Sequence, residues 1–121
     1  MSVKKIPFQF ALSLTALSGS NDLRICAPET GWMYCIQHLS VENETSNYSD
    51  FRVIHVVSSY ELMVAYWDTC SVGKLDWYDR DIFVTEGQYC LVRMAGCTAG
   101  DQLRVYVSGY RQTLPSYREA M

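Results

Sequence analysis

The sequence predicts an all-β fold, an antiparallel β-sandwich or jelly roll of about eight strands. Three observations carry that prediction. Runs rich in Val, Ile, Tyr, Phe and Trp recur along the whole chain, as a pleated and packed surface favours. Clusters of Gly, Pro, Asn, Asp and Ser separate them at short intervals. No window carries a 3.6-residue apolar period beyond a short stretch in the tail. Regularly spaced short strands of this kind point to a sandwich or barrel.

The strands are expected near 7–16, 22–27, 31–42, 51–58, 61–69, 75–84, 87–95 and 102–111. In the first, Phe8, Phe10, Leu12, Leu14 and Ala16 alternate strictly with polar or small residues, the pattern of a half-buried strand. Lys4 and Lys5, the apolar stretch 6–17 and Ser18-Gly19-Ser20 imitate a signal peptide. Pro7, Gln9, Ser13 and Thr15 interrupt that stretch, so the strand reading is preferred. The last two strands also alternate: Leu103, Val105 and Val107 oppose Arg104, Tyr106 and Ser108, and Cys90, Val92 and Met94 oppose Tyr89, Leu91 and Arg93. In 52–57 and 62–67 both faces carry large apolar side chains, whereas an antiparallel sheet usually keeps one face wet. The outer face is therefore expected to be covered, by the N-terminal strand or by another subunit, and a homo-oligomer is expected, a trimer before a dimer. The chain divides into an N-terminal strand or arm (1–20), a sandwich domain (21–111) and a C-terminal tail (112–121) that includes Pro115 and Tyr117. Ser18-Gly19-Ser20 reads as a flexible connector that lets the arm reach a neighbour.

Composition narrows the function. At 121 residues the chain makes one domain with a sizeable core. Charged residues are 19% of it, below the roughly 25% of an average soluble domain, and apolar ones 49%, which argues against disorder. The net charge is −3 and no basic patch exists, so nucleic acid is not an expected partner. No run approaches the roughly 18–20 apolar residues of a membrane-spanning helix, and no membrane partner is expected. Cys26, Cys35, Cys70, Cys90 and Cys97 are an odd set without a C-x-x-C pair, against both zinc and thioredoxin-like chemistry. They read as buried free thiols made in a reducing cytoplasm, with a Cys26–Cys35 bridge as the alternative. Asn43-Glu44-Thr45 and Asn47-Tyr48-Ser49 match the glycosylation acceptor pattern, a short motif that means little without secretion.

Catalytic candidates are few. His38 and His55 each sit inside a strand run and read as packing residues. There is no G-x-S-x-G elbow, no P-loop and no G-x-G-x-x-G. The chain is not expected to be an enzyme, and no cofactor or metal is expected. The densest polar group, Asp76, Asp79 and Asp81 around Trp77, Tyr78 and Arg80, reads as a charged strand edge that discourages sheet-to-sheet pairing. A calcium site and a sugar or partner contact are the alternatives. Aromatic residues make 13% of the chain, and Tyr and Trp are enriched at interfaces. Trp32, Trp67 and Trp77 are the anchors to test. The candidate interface residues are Phe8, Phe10, Leu12, Trp67, Trp77, Tyr78, Tyr106 and Tyr110.

The segment from Asp76 to Arg111 holds a strand, a Val84-Thr85-Glu86-Gly87-Gln88 turn, a strand, a Gly-rich loop and a closing Val105-Tyr106-Val107-Ser108-Gly109-Tyr110 phrase. With the Ala27-Pro28-Glu29-Thr30-Gly31 turn before a long strand, this resembles the small β-sandwich virion proteins of tailed bacteriophages, the capsid decoration or cement type. The resemblance covers most of residues 22–111. It implies a protein that binds the major capsid protein on the outer shell and stabilises capsomer contacts, without catalytic residues. It also implies assembly in the host cytoplasm and location on the capsid surface. The alternative is a carbohydrate- or receptor-binding module of a phage tail or fibre.

Overall fold

The computed structural model describes residues 4–68 and 70–114, and there the β-forming runs fold as nine strands without a helix. They are β1 (Ile6–Thr15), β2 (Gly19–Cys26), β3 (Trp32–Asn43), β4 (Asp50–Val57), β5 (Tyr60–Trp67), β6 (Asp76–Tyr78), β7 (Ile82–Thr85), β8 (Gln88–Cys97) and β9 (Gln102–Thr113). Their pairing is nested and antiparallel: β1 with β9, β2 with β8, β3 with β6 and β7, β4 with β5. The first half of the chain thus lies along the second as one long ribbon. Rolling that ribbon brings β9 against β3 and β8 against β4. Two sheets result, one ordered β1-β9-β3 with β6 and β7 both along β3, the other β2-β8-β4-β5. This is the jelly-roll solution to stacking two antiparallel sheets.

The strand expected at 75–84 is split, and the break has a local cause. β6 pairs with Leu39–Val41 of β3 and β7 with Met33–Ile36. Between those stretches β3 has a bulge at Gln37, where its register against β9 shifts. The partner strand parts at the same level, and Asp79-Arg80-Asp81 leaves the ladder there. The bulge is accommodated on its other side by Gly109. A Cβ at Gly109 would lie 2.0 Å from the carbonyl oxygen of Cys35, so only glycine permits so close an approach.

Between the sheets, Ile36, Leu39, Val41, Phe51, Val53, Val92, Met94, Leu103 and Val105 are buried. β1 alternates over its whole length as its sequence predicts, and its Phe8, Phe10, Leu12 and Leu14 pack on this core. All ten of its residues pair with β9 of the same chain. The connector at 18–20 is short and fastened: Asn21 Oδ1 accepts from the Leu17 N–H at 2.9 Å, and Asn21 Nδ2 donates to the Leu17 carbonyl at 2.9 Å. Gly19 and Ser20 already belong to β2. At the other end β9 extends through Gln112 and Thr113, and Leu114 N–H donates to Gly31 O at 2.7 Å. Of the tail, residues 115–121, with Pro115 and Tyr117, lie outside the described residues, as do residues 1–3.

A second, smaller apolar cluster lies on the outer face of the second sheet: Ile54, Val56 and Leu91, with Tyr89 against them. Sequence reasoning correctly finds both faces of β4 apolar, but of the covers it expects the N-terminal strand is ruled out. β1 belongs to the other sheet and cannot supply it. Long side chains of the same sheet do. Arg24 lies over the Tyr89 ring at 4.0 Å. Arg93 makes a two-pronged contact to Asp22 at 2.7 and 3.0 Å and reaches Glu61 at 3.0 and 3.1 Å, on the diagonal that crosses Ile54. The stems of such residues shield apolar surface while their charged ends stay wet.

Candidate functional site

All five cysteines are buried and free. Burial pushes the Cys26 and Cys90 thiols up to about 12, which leaves them almost wholly protonated near neutrality. They are poor nucleophiles, and Cys26 and Cys35 lie in different sheets and form no bridge. No group of three or more metal-type ligands occurs among the described residues. The chemistry on offer is therefore on the surface, where two regions depart from an ordinary wet sheet.

The first is β5. It ends the second sheet and pairs with β4 on one side only, so its outward N–H and C=O groups have no strand beside them among the described residues. Tyr60, Leu62, Met63 and Tyr66 are respectively 71, 51, 60 and 46% exposed, and Glu61 is the strand's single charge. A bulge at Val64 shifts the register between Val53 and Ile54, and the adjacent Leu62 and Met63 before it look to opposite faces. The hairpin leading into the strand is tight: Val57 pairs with Tyr60, and Ser58 adopts a positive φ of 56°.

The second region is the outer face of the first sheet. Register places its residues in rows. Pro7, Tyr110, Cys35 and Phe83 make one row, Gln9, Ser108 and His38 the next, and Ala11, Tyr106, Ser40 and Trp77 the third. A polar row thus runs between two aromatic ones. The bulge at Gln37 puts Ile36 in the core and His38 on the outer face, although they are two residues apart with one residue between them out of register. His38 Nδ1 bonds Asp79 Oδ1, so Nε2 is the ring nitrogen left to face outward. Tyr106 OH donates to Glu42 Oε1 at 3.0 Å. Small side chains at Ala11 and Ser108 leave a hollow of about 400 Å³ lined by Gln9, Phe10, Ala11, His38, Tyr106, Val107 and Ser108.

The sequence-predicted interface residues do not form one patch. Phe8, Phe10 and Leu12 face the core, Phe8 lying 5.8 Å from Phe10 and 5.4 Å from Tyr34 between ring centroids. Trp67 stacks on Phe51 at 4.7 Å and meets Tyr78 edge-on at 6.0 Å, closing the β5 side of the sandwich. Trp77, Tyr106 and Tyr110 share the outer face of the first sheet, Trp77 at 59% exposure and Tyr110 beneath Lys5. Trp32 stacks with Arg111. Gln9, His38 and Ser108 were missed as site residues, because strand register alone brings them together across some hundred positions of sequence. The exposed apolar residues of β5 had a signal, the failure of alternation in 62–67.

No protein-family model matches the chain, and no curated protein matches it in sequence. Its fold does have counterparts. A chain of the Bacillus endospore appendages, a family of disulfide-linked pili, is similar with a TM-score of 0.58 and 15% identity, over 94% of this chain and 92% of that one. A chain of infectious bursal disease virus, Gx strain, is similar with a TM-score of 0.50 and 11% identity, over 98% of this chain and 33% of that one. This chain therefore spans about a third of the viral one. At these identities the likeness is one of fold.

Proposed function

We propose that the protein is a structural subunit of a virion, a cement module that sits on the outer shell and stabilises contacts between capsomers. The β5 edge carries this reading. Natural sheets protect their edges with charge, bulges or interruption, and the four edges here differ sharply. β2 carries Asp22 and Arg24 and has two register shifts, while the β6–β7 edge is broken by Asp79-Arg80-Asp81. β1 has no charged residue at all and β5 has one. The two edges with the least charge, β1 with Pro7 and β5 with its single bulge at Val64, lie on opposite sides of the sandwich, since β1 turns directly into β2 and β5 packs beside β6 through Trp67 and Tyr78. Pairing β5 of one copy with β1 of the next extends both sheets by main-chain hydrogen bonds and buries Leu62 and Met63. Such a contact is head-to-tail, and closed rings such as a trimer follow from it more readily than a two-fold dimer. The fold shared with a pilus and a virus supports an assembly role, as does the resemblance to phage decoration proteins.

Light scattering of the purified protein should give a multiple of the 13.8 kDa chain mass. Leu62→Lys with Met63→Lys should return it to a folded monomer. Cryo-microscopy of particles carrying the protein should place the sandwich over capsomer contacts, and the double variant should be absent from them. A wild-type monomer that also fails to appear on particles would refute the proposal.

A further inference from the structure

We propose that the hollow on the outer face of the first sheet is a binding site for a neutral sugar, free or as the end of a glycan. Its shape and chemistry both select that class. The volume of about 400 Å³ falls within the roughly 300–1,000 Å³ of small-ligand sites. No Lys or Arg lines it, so no permanent cation there compensates a phosphate, sulfate or nucleic-acid backbone. Glu42 and Asp79 stand at its border and repel anions. What the hollow offers is a set of hydrogen-bonding groups: the Gln9 amide and the Ser108 hydroxyl, each able to donate and accept, and His38 Nε2.

A sugar ring has hydroxyls around its rim and C–H groups on its faces, so its recognition needs polar groups beside an aromatic plane. Tyr106, which lines the hollow, is the aromatic residue available for that contact. Its hydroxyl is tied to Glu42, which restrains the ring before any ligand arrives. The Asp79 carboxylate does the same for His38, whose place on this face depends on the Gln37 bulge. Trp77, exposed and two strands from Tyr106 in the same row, extends the aromatic surface toward a second ring of a longer glycan. Restrained polar and aromatic groups around a preformed hollow are the features of a recognition site rather than of a wet sheet face.

The test is titration of the purified full chain, followed by amide chemical shifts, with glucose, galactose, N-acetylglucosamine, mannose and their common disaccharides, together with a glycan array. The expected result is saturable binding by at least one of these, with shifts centred on Gln9, His38, Tyr106 and Ser108. Ser108→Leu, which fills the hollow, and Tyr106→Ala should each weaken binding at least tenfold. His38→Gln, which keeps a hydrogen-bonding group, should weaken it less than His38→Ala. Sulfated and sialylated glycans on the array should bind no better than their neutral counterparts. The Leu62→Lys, Met63→Lys variant should bind sugar as a monomer, so this test and that of the assembly role fail separately. An absence of binding across panel and array, preference for anionic glycans, or binding that Ser108→Leu and Tyr106→Ala leave unchanged would each overturn the proposal.

Discussion

Replacing Gly109 with alanine tests the local geometry on which the outer face of the first sheet depends. The added Cβ would lie 2.0 Å from the Cys35 carbonyl oxygen, 3.0 Å from its carbon and 3.1 Å from the Gln37 nitrogen. All three are backbone atoms, so no side chain can swing aside. Relief to ordinary contact requires β3 to retreat by more than about 1 Å, a sizeable part of the roughly 4.8 Å strand spacing. Two ladder hydrogen bonds at about 1 kcal/mol each and overpacking strain of about 1–3 kcal/mol put the loss at roughly 3–5 kcal/mol. For a domain of this length that corresponds to a fall in Tm of roughly 10–20 °C. Thermal unfolding followed by circular dichroism measures it, with Ser108→Ala as the neighbouring control that adds no atom. The His38 ring signals should shift in the variant, because the bulge that sets its direction is displaced. A Tm within about 2 °C of wild type, by the same scaling, would refute the close-approach argument.

Two further outcomes follow from buried polar groups. Asp101, 2% exposed, accepts from Asn43 Nδ2 at 2.8 Å, Ser46 Oγ at 2.7 Å and Thr98 N at 2.9 Å, and those bonds hold its carboxyl below the usual range. Its contribution to stability is present above the unfolded value of 3.8 and is lost as pH falls through the lower folded value. Urea unfolding of Asp101→Asn should show a loss of about 2–4 kcal/mol at pH 7 and less dependence on pH below 4 than wild type. For Cys26 and Cys90 the sign is opposite: protonated thiols favour the fold below pH 9, and that contribution falls as pH rises from 9 toward 12. A thiol reagent at pH 8 should react slowly with the native protein and with all five cysteines after unfolding, and reductant should leave Tm unchanged. Fewer than five reactive thiols in the unfolded chain would contradict free cysteines.

The fold class was legible because burial alternates with period two, and β1, β8 and β9 display that period in the residues themselves. The failure of alternation in 52–57 and 62–67 was equally informative, although it has two physical causes. In β4 the outer apolar residues are roofed by Arg24 and Arg93, whose long stems sequence reasoning counts as polar. In β5 they are bare, because the strand is an edge. Position in a sheet is a non-local property, and no local pattern distinguishes the two. The split of 75–84 into β6 and β7 was hidden for the same reason: its cause is a bulge in β3, some forty residues away. The hollow depends on register among β1, β3 and β9, so its residues carry no common signature in the chain.

The cysteines constrain what kind of assembly this domain can enter. The pilus chain with the same fold belongs to a disulfide-linked family. Here Cys26, Cys35, Cys70, Cys90 and Cys97 are at most 8% exposed. A covalent link between copies through any of these five would require part of the core to open, at a cost comparable to the stability of a domain. The contacts proposed for β5 must therefore hold by strand pairing and apolar burial alone. That fixes their solution behaviour. Association is reversible and set by mass action, so the oligomer weakens on dilution. With Glu61 the only charge on β5 and none on β1, added salt screens little of the attraction. In the proposed cement role, strength would come from the number of copies engaged at once on a shell rather than from any single bond. The β5 edge, with Glu61 as its single charge where β2 carries Asp22 and Arg24, is the part of the sequence on which the proposed role rests.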